Sequence, residues 1–143
     1  GVHVAGGSLV ALHARFQANY AHAGGGGLSL DGGAGGEDDG VAALWGCNFV
    51  DNSVFMRGAG VHAAPGSLLI SRHTNFTNNT ANLYGGGLYT EAAAGFPGAD
   101  IAGGFFLSNF ANSGGAVAAA GGMAHIYLVT MTGNMVDAYG GGV

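Results

Sequence analysis

Eight carboxylates, six histidines and three arginines carry the acid–base and charge chemistry of this 143-residue sequence. Four of the acids, Asp31, Glu37, Asp38 and Asp39, fall in one run, DGGAGGEDDG at 31–40. Oxygen-rich loops hold Ca²⁺, so this run is the candidate metal site, for a weak or structural calcium, although it lacks the DxDxDG spacing of a dedicated loop. Its plainer reading is a solvated loop. Hydrolysis of a glycosidic bond would need two carboxylates about 5–9.5 Å apart. The candidates are Asp51 with Asp39 or Asp100, which the spacing does not force together. A lyase would add a basic residue beside a metal-bound acid, and only Arg15, Arg57 and Arg72 are present. Tyr84, Tyr89 and Trp45 are candidates for a sugar-binding face, with packing as the ordinary alternative.

The histidines read as surface residues. His3 and His62 occupy equivalent places, each directly after an inward Val, so alternation turns them outward. They lie two rungs apart, roughly 10 Å, too far to share one ion. His13 and His73 are near-equivalent, and His22 and His125 have no evident partner.

Composition removes several function classes. With three Arg, no Lys and a formal net charge of −5, the chain cannot release counterions from phosphates as a nucleic-acid binder does. The absence of Lys also removes a P-loop, although Gly strings abound. The chain is 48% hydrophobic, which argues for packing over disorder. Cys47 is the only cysteine, so no internal disulfide staples the fold.

The elements that must position these residues repeat. GGGL at 25–28 recurs as GAGV at 58–61, GGGL at 85–88, GGAV at 114–117 and GGGV at 140–143. The apolar residues closing these strings are Leu28, Val61, Leu88, Val117 and Val143, and Val2 opens the chain in the same phase. A second element precedes each string: Phe16-x-x-Asn19, Phe49-x-x-Asn52, Phe76-x-x-Asn79, Phe106-x-x-Asn109 and Met131-x-x-Asn134. Two residues beyond each Asn stands Ala21, Val54, Ala81, Ala111 or Val136. Residues 1–30 match 60–90 with a single insertion, one coil placed twice.

A rung of 26–33 residues cannot bury its own apolar face and must stack on copies of itself. Helical repeats are disfavoured, because Gly costs about 1 kcal/mol against Ala in a helix interior, and the LxxLxL density of leucine-rich repeats is missing. Short β-runs at 8–13, 41–45, 67–71, 105–106 and 125–130 remain. The expected fold is all-β, a right-handed parallel β-helix of about five coils spanning 1–143, with three short strands per coil and insert loops at 31–40 and 90–100. In it the Phe and the string-closing residues stack inward at about 4.8 Å, and the Asn residues form a ladder of left-handed turns. The glycines supply positive φ and close approach.

The FxxN and GG-apolar strings resemble the repeats of chlamydial polymorphic outer-membrane proteins and related right-handed parallel β-helix proteins. The resemblance covers essentially the whole chain. It departs at Met131, which stands for Phe, and at Ala59 and Ala116, which interrupt two Gly strings. It implies surface display and adhesion by a long solenoid.

The functional expectation is therefore a structural or adhesive, non-catalytic segment, extracellular or on a cell surface, contacting a protein or glycan ligand. One alternative is a polysaccharide-active or carbohydrate-binding β-helix with its site near the 31–40 insert, since inserts cluster on binding faces. The other is a scaffold subunit of a large intracellular assembly. Gly1 and Val143 fall within rungs, so flanking coils or neighbouring proteins are the expected partners at the open ends. The uncharged stretch at 115–133 is long enough to span a bilayer, but its Gly string and Met131-x-x-Asn134 keep the repeat phase, so no membrane span is expected. Asn75-Phe-Thr77 and Asn78-Asn-Thr80 match the N-glycosylation pattern, which has force only in a secreted eukaryotic protein.

Overall fold

The computed structural model describes residues 1–32, 40–92 and 97–141. The chain winds as a right-handed parallel β-helix of five coils. The first coil holds β1 (Val2–Ala5), β2 (Ser8–Leu12), β3 (Arg15–Gln17) and β4 (Tyr20–Ala21). The second holds β5 (Leu28–Asp31), β6 (Val41–Trp45), β7 (Asn48–Val50) and β8 (Ser53–Val54), and the third β9 (Val61–Ala63), β10 (Leu68–Arg72), β11 (Asn75–Thr77) and β12 (Thr80–Ala81). The fourth holds β13 (Leu88–Glu91), β14 (Pro97–Ala102), β15 (Phe105–Leu107) and β16 (Phe110–Ser113); the fifth holds β17 (Val117–Ala120), β18 (Met123–Tyr127), β19 (Thr130–Thr132) and β20 (Met135–Tyr139).

Corresponding strands pair in parallel, giving four five-stranded sheets: β1-β5-β9-β13-β17, β2-β6-β10-β14-β18, β3-β7-β11-β15-β19 and β4-β8-β12-β16-β20. We call them sheets A to D. The fourth strand corrects the expectation of three per coil. In the first three coils it is only two residues long, too short to show alternation in the sequence. The 105–106 run belongs to sheet C, whereas its supposed equivalents lie in sheet B. The sheet B strand of that coil is Pro97–Ala102, which begins within the 90–100 stretch expected to be an insert.

The core is built from the repeat. Leu28, Val61, Leu88 and Val117 stand in register on sheet A and are fully buried. Phe49, Phe76 and Phe106 are buried behind sheet C. The rings of Phe16, Phe49, Phe76 and Phe106 stack with centroids 4.5, 5.1 and 4.5 Å apart and nearly parallel planes. Each good pair is worth about 0.5–1.5 kcal/mol beyond burial. Met131 pairs in register with Phe106 and continues the column. A small second core of Val54, Ala59, Ala81 and Ala111 fills the corner between sheets D and A. The narrowness of that corner explains the small residues two places beyond each Asn.

The asparagines form the expected ladder. Oδ1 of Asn52, Asn79, Asn109 and Asn134 each accepts the backbone N–H and the Nδ2 amide of the Asn one coil before, at 2.9–3.1 Å. The second Nδ2 hydrogen of each goes to the carbonyl of Phe16, Phe49, Phe76 or Phe106. Every polar atom on the buried Asn52, Asn79 and Asn109 side chains is thereby bonded, which such burial requires.

The left-handed turn residue is not the ladder Asn but the residue before it: Ala18, Asp51, Asn78 and Ser108 have φ of 52–54°, and Gly133 has 63°. The Asn must keep an extended backbone to aim its amide inward, so its outward neighbour takes the strained conformation. A second left-handed column, between sheets B and C, runs His13, Gly46, His73, Gly103, Leu128. The His13 and His73 imidazoles lie over Gly46 and Gly103, where an added Cβ would come within 2.6 Å of Nδ1. This explains the near-equivalence of the two histidines as corner packing. The third column is the first glycine of each string.

Residues 115–133 form β-structure in sheets A, B and C. Among the described residues no helix is long and apolar enough to cross a membrane.

Candidate functional site

The residues singled out for chemistry are dispersed. Asp51 is exposed at the corner between sheets C and D. Asp100 lies on sheet B, where its carboxylate takes the Arg72 guanidinium at 3.1 Å. The Arg72 hydrogen bond holds Asp100 below the usual carboxylate range against some burial. Sheet C separates these two acids, and Asp39, the third candidate, lies outside the described residues. Of the acidic run, Asp31 ends β5 with Oδ2 3.6 Å from His3 Nε2, and Glu37, Asp38 and Asp39 fall outside the described residues. Among the described residues no three His, Cys, Asp or Glu side chains converge as a metal site would need. Val143, expected to close the last string, also lies outside them. Trp45 stands on sheet B, apart from Tyr84 and Tyr89 near sheet A.

Those two tyrosines belong to a cluster the coils assemble from non-repeating residues around sheet A. Gly24, Arg57, Tyr84 and Ser113 immediately precede the Gly strings and bridge one another in parallel register. On sheet A beside them, Ser29, His62, Tyr89 and Ala118 form a row across the strands. Arg57 pairs with Glu91 through Nη1 and Oε1, and its guanidinium sits 5.3 Å over the Tyr89 ring. Tyr89 donates its hydroxyl to Glu91 Oε1 at 2.7 Å. The Tyr84 ring stacks on Tyr89 at 5.8 Å, and the His62 imidazole at 5.6 Å.

Electrostatics follow from that packing. Burial, reinforced by the hydrogen bond and charge of Glu91, pushes the Tyr89 hydroxyl up to about 12, with Arg57 opposing. Burial lowers the His62 pKa, with Glu91 and Asp31 opposing, so the imidazole is neutral at pH 7. Arg57 Nε and His62 Nε2 are buried without a hydrogen-bond partner among the described residues. A shallow groove of about 600 Å³ lies on one side of Arg57, lined by Tyr20, His3, Ser29, Asp31 and His62. A second, of about 670 Å³, lies on the other side between Tyr84, Tyr89 and Ala118. A protonated tyrosine, a neutral histidine and an ion pair closed on itself suit recognition of neutral polar groups better than proton transfer. Cys47 is buried with its thiol on the Ala11 carbonyl at 3.3 Å, a packing role.

The sequence suggested Tyr84 and Tyr89 together, with Trp45, and Arg57 apart from them, and did not mark Glu91 or His62 as their partners. The signal was present in the offsets: Arg57 and Tyr84 each directly precede a string, and Tyr89 and Glu91 follow Leu88 by one and three residues.

No family model, no curated protein and no solved structure matches the chain.

Proposed function

We propose that the chain is a non-catalytic structural and adhesive β-helix segment of an extracellular or surface protein, using its outward faces for protein or glycan contacts. The observation that carries this reading is the continuous Asn ladder through all five coils, a rigid spine that leaves the outward side chains free to vary. The FxxN and GG-apolar resemblance to chlamydial polymorphic outer-membrane proteins supports surface display. The partners in this reading are flanking coils along the axis and a ligand on the sheet faces. The folded chain immobilised on beads is expected to retain protein- or glycan-coated surfaces without releasing soluble product from polysaccharides. Turnover of a polysaccharide would overturn it.

The grooves beside Arg57 favour one second reading, a carbohydrate-binding β-helix. Asp31, the first residue of the 31–40 stretch, lines the first groove. Titration with neutral oligosaccharides, read by Tyr84 and Tyr89 fluorescence, separates the readings. A saturable change lost in Arg57→Ala assigns the grooves to sugar, and a flat titration leaves the scaffold reading alone.

A further inference from the structure

We propose that the outward face of sheet B binds an extended, uncharged glycan laid along the solenoid axis, with Trp45 and Tyr127 as its stacking platforms and the Arg72–Asp100 pair as the polar contact between them. This rests on the adhesive reading above and gives it a ligand class and a face, away from the grooves beside Arg57.

Alternation in sheet B turns Ala42, Leu44, Leu69, Ser71, Ala99 and Ile101 inward, where all are fully buried. Their neighbours face outward in rows across the strands. Register aligns Leu12, Trp45, Arg72, Ala102 and Tyr127 in one row, and Val10, Ala43, Ile70, Asp100 and His125 in the next. Trp45 and Tyr127 are 43% and 46% exposed.

Over Ala102, the small residue of its row, the Arg72 guanidinium comes within 6.0 Å of the Tyr127 ring centre. It also holds the Asp100 carboxylate, Nη2 to Oδ2 at 3.1 Å and Nη1 to Oδ1 at 3.3 Å. Both contacts draw Arg72 away from Trp45 and leave that ring uncovered by it. They also fix the polar pair before a ligand arrives, which lowers the ordering cost of binding.

The dimensions and charge of the face select its occupant. Its formal charges are Arg72 and Asp100, paired with each other, so it offers no net field to a charged partner. Five strands about 4.8 Å apart and about five residues long present roughly 20 Å by 17 Å, or about 350 Å². That is under half of the ~800 Å² a stable protein interface takes from each partner, so this face alone holds neither a second copy nor a folded protein. A glycan needs only a strip. Pyranose rings lay C–H faces on aromatic rings and offer hydroxyls to charged pairs, and one rung step of about 4.8 Å matches the length of one pyranose residue. Trp45 and Tyr127 then stand under sugars three apart, with Arg72 and Asp100 under the two between.

Trp45 is the only tryptophan in the chain, so its emission reports on this face. Titration with cellohexaose and with chitohexaose should change that emission saturably for at least one of them, and polygalacturonate, the charged control, should not. Tyr127→Ala, read by emission, and Trp45→Ala, read by retention on insoluble cellulose or chitin, should each weaken binding about tenfold. Arg57→Ala should leave it unchanged. Emission of the unmodified chain that stays flat with both hexasaccharides overturns the assignment without any variant. Retention that survives Trp45→Ala, or is lost only in Arg57→Ala, also overturns it, as does tighter binding of polygalacturonate. The adhesive reading is scored separately: a chain with flat emission that protein-coated surfaces still retain keeps that reading and loses this one, and a chain retained by neither loses both.

Discussion

Gly60 faces Phe76 across the interior of the third coil, and a Cβ added to Gly60 would meet the Gly87 carbonyl oxygen first and come within 2.8 Å of the Phe76 ring at Cδ1. Gly27 with Phe49 and Gly87 with Phe106 repeat the relationship at 2.7 Å. The last coil carries Ala116 where the others have this glycine and Met131 where they have Phe, and both pack in the same core cluster. The two departures fall in the same coil, where a methyl group enters as a flexible thioether replaces a rigid ring, the combination expected of a compensated change.

Gly60→Ala should therefore destabilise the protein by about 2 kcal/mol through overpacking. Adding Phe76→Met to it should cost less than the sum of the two single changes, by about 1 kcal/mol. Urea denaturation of the four proteins in the cycle measures this. Strict additivity would remove the proposed compensation.

Asn79 sits mid-ladder, and Asn79→Ala leaves the Asn52 N–H and one Asn52 amide hydrogen without an acceptor and removes the side-chain amide that donates to the Phe49 carbonyl. A loss of about 3 kcal/mol is expected. Asn79→Asp keeps the acceptor but sets a buried carboxylate against the Phe49 carbonyl and Asn109 Oδ1. It should be worse than Ala at pH 7 and recover partly in acid, when the carboxyl regains a donor. Melting both variants at pH 7 and pH 4 gives the comparison.

Leu128 occupies a left-handed corner with φ 56° and is 87% exposed, so it has strain and little burial to offset it. Leu128→Gly should raise the unfolding midpoint, by about 1 kcal/mol in stability, because Gly46 and Gly103 already fill equivalent corners. An unchanged or lower midpoint would show that the Leu128 side chain contributes packing that its exposure conceals.

His62 predicts a pH dependence whose sign is fixed by its environment. Its pKa is lowered on folding by burial, so the unfolded chain binds the proton first. The contribution is complete above the ordinary value near 6.5 and is lost as pH falls through the window below it. The groups facing it are Glu91 and Asp31, which oppose the lowering, and Arg57, which adds to it, with the Tyr89 ring stacked on the imidazole. Thermal melts between pH 7.5 and 5 should show falling stability in the parent and a flatter profile in His62→Gln. Equal slopes in both would assign the dependence elsewhere.

The repeat made the fold legible. A column such as Phe49, Phe76 and Phe106 is written into the sequence several times at nearly constant offset, so core, ladder and stacking direction all follow from counting. What occurs once was harder to see. Arg57 and Glu91 are 34 residues apart, and although each stands at a fixed offset from a Gly string, the pair occurs once and no repetition marks the two as partners. The two-residue strands of sheet D carry too few residues for alternation to register, and the ladder Asn hid the fact that its neighbour bears the left-handed turn.

The sequence by itself determined that this chain is a parallel β-helix with an aromatic stack, an asparagine ladder and glycine corners, because each coil must satisfy the same packing constraint. Only the tertiary structure decided what the outward side chains do. It dispersed Asp51 and Asp100 and gave the latter to Arg72. It gathered Arg57, Tyr84, Tyr89, Glu91 and His62 into one cluster, and it tied Asn75 to Asn48. Outward residues answer to whichever neighbours the coil register brings beside them, and that register exists only once the coils are stacked.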